Sequence, residues 1–380
     1  MTGASYLNPR SGAVWPADEA ALWRAPDDGG LLVLDRGPGL DAADIEDGDR
    51  SLWRYARALR VPATRRVTLG EGWTPLLDGQ WQGQPVLWKA DHQNPTGSFK
   101  DRGVAVLLTY LKAAGVTAIV EDSSGNAGAS MATYAAAAGI SCTIFVPASA
   151  PLAKRIQIRA MGADLVAVEG DRTAVTRAAE RAAEAAAAEG GFYAGHNVQP
   201  FFFEGTKTLA YELWEQLGFR APRNIVLPLG QGTNALGIVH GFEELIACGS
   251  LAEADRPRLF GIQAANCAPF VAGHAGIVAA PTIADGIASA HPVRFAEVAE
   301  KIASTGGGVL SVSEAEITQA LAAMARQGLF VEPTSATASA GLSRLTAAGR
   351  IQAGETTVVV ITGNGLKAVE VIGRTLGLAG

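Results

Sequence analysis

Short, nearly continuous apolar runs rich in β-branched residues, alternating with longer helical patterns, restrict this chain more than any other feature. From residue 85 the runs are Ala118–Glu121, Thr143–Val146, Leu165–Val168, Ile225–Leu229, Leu259–Ile262 and Thr357–Ile361. Helical patterns lie near 100–114, 127–138, 151–161, 173–189, 204–217, 234–247, 315–327, 335–347 and 365–376. Strands that are apolar almost throughout and are joined by helices have both faces covered, which predicts parallel sheets and an α/β fold. In such sheets ligands sit outside the carboxyl ends of the strands. The strand-to-helix junctions are therefore the places to look for chemistry.

Length and charge remove several alternatives. The 380 residues allow two or three domains at ~100–200 residues each. A formal charge of −6 lacks the basic footprint of a nucleic-acid binder. Cys142, Cys248 and Cys267 are too few and too scattered for a disulfide framework or a zinc cluster. His240, His274 and His291 show no metal spacing, so no metal is expected. No apolar run approaches the ~20 residues of a membrane span, and Met1 is not followed by a basic and then apolar leader. These features predict a soluble, cytoplasmic protein with no membrane partner. Residues 1–60, broken by Pro16, Pro26 and the Gly-Pro-Gly at 37–39, read as an N-terminal appendage. Trp15, Trp23 and Trp53 are expected to pack it onto the body or onto a partner subunit.

Three junctions carry glycine and small polar residues. Asp122-Ser-Ser-Gly-Asn-Ala-Gly-Ala-Ser130 follows one run. Ser123, Ser124 and Asn126 suit a helix N-terminus, and Gly125 lets a ligand approach the backbone. The string is either a plain N-cap or a nest of N–H groups facing a ligand. Leu229-Gly-Gln-Gly-Thr-Asn-Ala-Leu-Gly237 follows a second run. There Gly230 and Gly232 free the turn, and Thr233 and Asn234 add donors beside a helix start, a geometry that binds phosphate or simply closes a tight turn. Its glycine spacing is neither the dinucleotide fingerprint nor a P-loop. Val360-Ile-Thr-Gly-Asn-Gly-Leu-Lys367 brings Thr362 to a third strand end. Finally, Asn94-Pro-Thr-Gly-Ser-Phe-Lys-Asp-Arg-Gly103 places Lys100 just inside a helix. An ordinary lysine there is solvated; the helix N-terminal field disfavours a cation, which makes Lys100 a candidate amine nucleophile of lowered pKa.

Over roughly residues 50–370 the chain resembles pyridoxal-phosphate enzymes of the tryptophan-synthase-β type (fold type II), and within them the threonine synthases. The resemblance is carried by Leu52-Trp-Arg-Tyr55, Val67-Thr-Leu-Gly-Glu-Gly-Trp-Thr-Pro75, Asn94–Gly103, Ser123–Asn126, Glu204-Gly-Thr-Lys-Thr208, Gly230–Asn234, Glu332-Pro-Thr-Ser-Ala336 and Thr362-Gly-Asn-Gly-Leu-Lys367. It implies two αβα domains with the cofactor in the interdomain cleft: a larger one from 61–100 and 200–380, and a smaller, substrate-side one from 101–199. It implies that Lys100 holds pyridoxal 5′-phosphate covalently and that Asn126 meets the ring's 3′-oxygen. Gly230, Gln231, Gly232, Thr233 and Asn234 would cradle the 5′-phosphate, and Thr362 would meet the pyridine nitrogen. Ser123, Ser124 and Gly125, with Thr96, His196 and Asn197, would line the substrate side. A homodimer is expected on the same ground.

The implied reaction is elimination followed by water addition on a small amino acid, with O-phosphohomoserine converted to threonine. Alternatives are β-elimination or β-replacement on a less charged, serine- or threonine-like substrate, and a non-catalytic cofactor-binding paralogue. The family pattern breaks at Phe202, where a phosphate-binding arginine is expected; Arg155, Lys154 or Lys207 are candidate substitutes. A phenyl ring cannot make the bidentate contact to a phosphate dianion. Phe201–Phe203 reads either as core or as a pocket remodelled for a less charged substrate. Asn364 and Ala368 stand where relatives carry histidine and an acidic residue, and Ile283–Ala288 resembles a dehydratase element.

Overall fold

Each predicted apolar run forms a strand, with its ends matching or shifted by one or two residues: Ala118–Glu121, Ser141–Pro147, Asp164–Val168, Asn224–Pro228, Arg258–Ala264 and Thr357–Val360. A computed structural model describes residues 3–148 and 152–378, with side chains 152–154 outside the description. The chain divides into two compact units, Met1–Gly72 with Lys100–Thr208, and Trp73–Phe99 with Leu209–Gly380.

In the first unit a four-stranded sheet has the order Asp164–Val168, Ser141–Pro147, Ala118–Glu121, Gly191–Tyr193. All its neighbours are parallel. Val120, Phe145 and Tyr193 pack with Val175, Ala179 and Ala183 of the helix Arg172–Ala186. The first 60 residues fall within this unit rather than standing apart. Their short strands Ser5–Leu7, Val14–Pro16 and Val33–Leu34 form an antiparallel sheet. Tyr6 Oη donates to Tyr110 Oη at 2.8 Å, and Tyr110 stacks on Phe201 at 3.7 Å. Trp23 packs edge-on against Tyr193, and Trp53 is buried with its Nε1 donating to Glu71. Residues 61–72 and 200–208 also belong here, so the division differs from the expected boundaries. The physical tie is ionic: Arg60 pairs with Glu204 at 2.6 Å, inside the helix Pro200–Thr206.

In the second unit six strands run in the order Gly308–Val312, Arg258–Ala264, Asn224–Pro228, Thr357–Val360, Gln84–Lys89, Leu76–Trp81. Only the last pair is antiparallel. That hairpin closes through Gln82 and Gly83, both at positive φ (49° and 78°), the backbone of a tight two-residue turn. Val226, Phe260, Ile262 and Val359 meet Met324, Leu342 and Leu345 of the helices Glu314–Arg326 and Pro333–Ala347. The predicted helix at 365–376 begins later: Gly365–Lys367 is a 3₁₀ turn, and the helix is Val369–Thr375. Asn364 caps that turn by accepting from Leu366 N.

Candidate active site

Lys100 is the first residue of the helix Lys100–Ala113. This helix packs against Pro200–Thr206 at a distance only glycine allows. A Cβ on Gly103 would come within 2.5 Å of the Phe202 ring, and one on Gly205 within 2.0 Å of the Arg102 carbonyl. The fully buried Phe202 ring therefore lies beneath Lys100, whose Nζ is 5.5 Å from its centroid. Phe202 is thus a core residue in contact with the Lys100 side chain. His196 packs edge-on against the same ring at 5.6 Å. Its Nδ1 lies 2.8 Å from Glu121 Oε1, and its backbone N–H donates to Glu121 Oε2 at 3.2 Å.

The electrostatics follow from removal of water. Burial pushes the half-buried Lys100 amine down to about 7, against the opposing pull of Glu121. Burial, followed by repulsion from Asp122, raises Glu121 well above the carboxylate range. Burial, then Lys100 and Arg172, holds His196 well below its usual value. Both members of the Glu121–His196 pair are thus shifted toward their neutral forms, near an amine lowered to about 7. Asn197, next along the chain, is buried as well.

The junction before Asn126–Ala138 is not a plain side-chain N-cap. Gly125 occupies the cap position without a side-chain bond to the helix, and Ser123 Oγ instead accepts from Gly125 N at 3.3 Å. The cap residue itself places no side chain over the helix start, a position whose N–H groups and dipole suit a carboxylate. Gly128 permits the sharp entry, since a Cβ there would meet the Ser123 carbonyl at 1.8 Å. Asp122 is fixed by Arg172 at 3.0 Å and by Thr176.

In the second unit the helix Thr233–Ala247 starts after Gly232, at φ +85°. A Cβ on Gly232 would meet Val298 at 2.4 Å, and one on Gly230 would meet Ile287 at 2.9 Å. Ile287 belongs to the dehydratase-like element Ile283–Ala288, which therefore abuts the glycine loop. Gln231 is committed through its side chain: Nε2 donates to Ser289 Oγ at 2.7 Å, and Oε1 accepts from Val293 N at 3.0 Å. Its backbone is what it can offer a ligand. Thr233 is buried, and Asn234 is buried with neither Nδ2 nor Oδ1 partnered. A buried unpaired amide costs free energy unless a ligand meets it.

Thr362 follows the strand Thr357–Val360 closely, and its carbonyl accepts from Phe99 N at 3.0 Å. Lys100 is joined to Phe99 by one peptide bond. The Asn94–Gly97 turn zips onto the same loop: Asn364 N donates to the Gly97 carbonyl at 2.9 Å and Lys367 Nζ to the Thr96 carbonyl at 2.9 Å. Thr96 is buried there, and Ser335 Oγ lies 3.2 Å from Thr362 Oγ1.

Sequence reasoning missed Glu121, Ser335 and Ile287. Glu121 carried a signal, a charged residue ending an apolar strand; Ser335 lay inside a quoted motif without a role. Of the candidate phosphate cations, Lys207 is buried and spent on Glu204 at 2.9 Å and the Ala58 carbonyl at 3.1 Å. Arg155 donates to the carbonyls of Pro147 and Ala148, and Lys154 lies outside the described side chains. Among the described residues no cluster of His, Cys, Asp or Glu could hold a metal ion.

A buried uncommitted amide at a glycine-bounded helix start fits a phosphate, and a half-buried amine of lowered pKa fits an aldehyde. The profile of pyridoxal-phosphate dependent enzymes matches residues 67–363, and the chain belongs to that family. Within it, threonine synthase of Methanocaldococcus jannaschii is 34% identical over 83% of this chain and 80% of that enzyme. Threonine synthase of Mycobacterium leprae is 37% identical over 79% of this chain and 83% of that enzyme. Threonine deaminase isoform 2 of Solanum lycopersicum has a similar fold, at TM-score 0.68 and 21% identity, covering 93% of this chain and 98% of that one. A serine ammonia-lyase of Rhizomucor miehei gives TM-score 0.66 at 21% identity, over 80% of this chain and 96% of that one.

Proposed function

We propose that the protein is a threonine synthase-like lyase, converting O-phosphohomoserine or a closely related small amino acid to threonine by elimination and water addition. The observation that carries this reading is the set of threonine synthases 33–37% identical over most of the chain, joined to an amine poised at Lys100. Pyridoxal phosphate, when bound, supplies an electron sink and leaves the protein to choose which bond breaks.

Lys100 Nζ would join the cofactor covalently and, once freed, accept and return protons on the substrate carbons. A value lowered to about 7 suits a group that must do both near neutrality. Gly230–Asn234 would hold the 5′-phosphate through backbone N–H groups and the Asn234 amide. Asn126 would meet the ring's 3′-oxygen, and Thr362 Oγ1 would donate to the pyridine nitrogen. The Ser123–Asn126 segment would bind the substrate carboxylate, with Thr96, His196 and Asn197 shaping the substrate side. A homodimer and a cytoplasmic location belong to the same reading. Among the described residues no helix is long and apolar enough to cross a membrane.

Phe202 beneath Lys100, with Lys207 and Arg155 engaged elsewhere, favours a second reading: elimination on a less charged hydroxyamino acid. One assay separates the two. The first expects inorganic phosphate and threonine from O-phosphohomoserine. The second expects keto acid and ammonia from serine or threonine, with no turnover of the phosphorylated substrate. A cofactor-loaded protein inert towards both would support the non-catalytic reading.

A further inference from the structure

We propose that Ser335 is a positioning residue that fixes the Thr362 hydroxyl and offers its proton no acceptor, so that this proton is left for the ring nitrogen of the cofactor. The inference rests on the reading of Thr362 given above and deepens it by one residue.

Ser335 lies in the first turn of Pro333–Ala347 and is fully buried. Its Oγ accepts the backbone N–H of Thr362 at 3.0 Å and that of Gly363 at 3.0 Å. A serine hydroxyl has two acceptor lone pairs and one proton. Both lone pairs are taken. The Ser335 proton then goes to Thr362 Oγ1 at 3.2 Å or to the Gly363 carbonyl at 3.3 Å. That carbonyl already receives Glu332 N–H at 3.0 Å, which makes Thr362 Oγ1 the needier acceptor. On either choice Ser335 has no lone pair left for the Thr362 proton, which is directed to a ligand. The backbone around the hydroxyl is pinned as well, its N–H ending on Ser335 and its carbonyl on Phe99 N. A fixed hydroxyl donor matches an unprotonated pyridine nitrogen and mismatches a protonated one. Ser335 thereby holds the cofactor ring in its weaker electron-withdrawing state.

The test uses holoenzyme carrying cofactor isotope-labelled at the pyridine nitrogen and reads that nitrogen by NMR. Wild type should show an unprotonated, hydrogen-bonded nitrogen across neutral pH. Thr362→Val, which keeps the shape and removes the donor, should move the signal toward free pyridine; an unmoved signal would end the reading of Thr362 itself. Ser335→Ala, which removes the bonds that pin Thr362 and Gly363, should move it in the same direction and weaken cofactor affinity by about tenfold, the scale of one hydrogen bond. Combined with Thr362→Val it should add nothing to the shift. Ser335→Thr, which restores the hydroxyl, should return the wild-type signal. A Ser335→Ala signal equal to wild type, where Thr362→Val has moved it, overturns the proposal and leaves Thr362 in place. If the alanine variant does not fold, Ser335→Cys, a weaker donor and acceptor at the same place, must move the signal part of the way, and no movement there counts equally against it.

Discussion

A lysine amine brought out of water loses more by staying charged than by giving up its proton. Lys100 shows the effect, since burial outweighs the attraction of Glu121 and lowers its value to about 7. The consequence for stability has a definite sign. Below about 7 both folded and unfolded chains carry the proton, so the folded state bears the whole cost of a partly dehydrated cation. Between about 7 and the ordinary 10.5 only the unfolded chain keeps the proton, and stability rises with pH. Lys100→Met should therefore raise the melting midpoint of the cofactor-free protein at pH 6 by about 1–3 °C. The gain should fade toward pH 10.5, as scanning calorimetry at several pH values would show; a gain independent of pH would contradict the account. The same variant should bind no cofactor covalently. Asn234 makes a complementary case. Its buried amide has no partner on either atom, so Asn234→Ala should leave the apo protein as stable or more so while cofactor affinity drops about tenfold. Opposite signs in a melting curve and a cofactor titration would mark it as a ligand residue; a drop in both would mark it as structural.

Elements carry the next level of control, because Lys100, Asn126, Thr233 and Asn234 stand at the starts of helices, and what holds a helix holds them. Pro200–Thr206 is held by a buried ionic network: Glu204 meets Arg60 at 2.6 Å and Lys207 at 2.9 Å, and Arg60 reaches Asp35 at 2.7 Å. Burial alone would raise Glu204; Lys207 and Arg60 overcome it and hold the carboxyl down to about 2. This stabilisation is complete above the ordinary 4.5 and is lost as pH falls through about 2. Glu204→Gln should cost about 3–5 kcal/mol at neutral pH, because buried Lys207 and Arg60 both lose this carboxylate, Arg60 keeping Asp35. It should also flatten acid denaturation between pH 4.5 and 2, and urea titrations across that range would check both. Much of this level was legible in the sequence. The parallel-sheet strands announced themselves because both faces are buried, leaving unbroken runs such as Ile225–Leu229. The hairpin Leu76–Trp81 with Gln84–Lys89 did not, because one strand lies at the sheet edge with Asp78 and Gln80 interrupting its pattern. The helix Phe295–Ser304 was missed as well, and it lacks a capping side chain to mark its start. Lys100 and the glycine loops were legible because their chemistry is local. The Glu121–His196 pair and Ser335 over Thr362 were not, since they join residues 75 and 27 positions apart.

At the scale of the whole molecule the proposed cofactor groups are drawn from both units. Lys100 and Ser123–Asn126 belong to the first, and Gly230–Asn234 and Thr362 to the second. Each unit has its own sheet and core, and hydrogen exchange reports local openings segment by segment. A ligand that binds only the folded state stabilises whatever it touches in proportion to its affinity. Cofactor addition to the apo protein should therefore slow exchange in two separate stretches at once, the starts of Asn126–Ala138 and of Thr233–Ala247. Strand interiors such as Asn224–Pro228, buried throughout, should change little, being protected already. Lys100→Ala should weaken both effects together, because losing the covalent bond lowers affinity for the cofactor as a whole. Asn234→Ala should weaken protection at the second stretch more than at the first. Slowing confined to one unit would show that the other unit's residues have been wrongly assigned, and would say which.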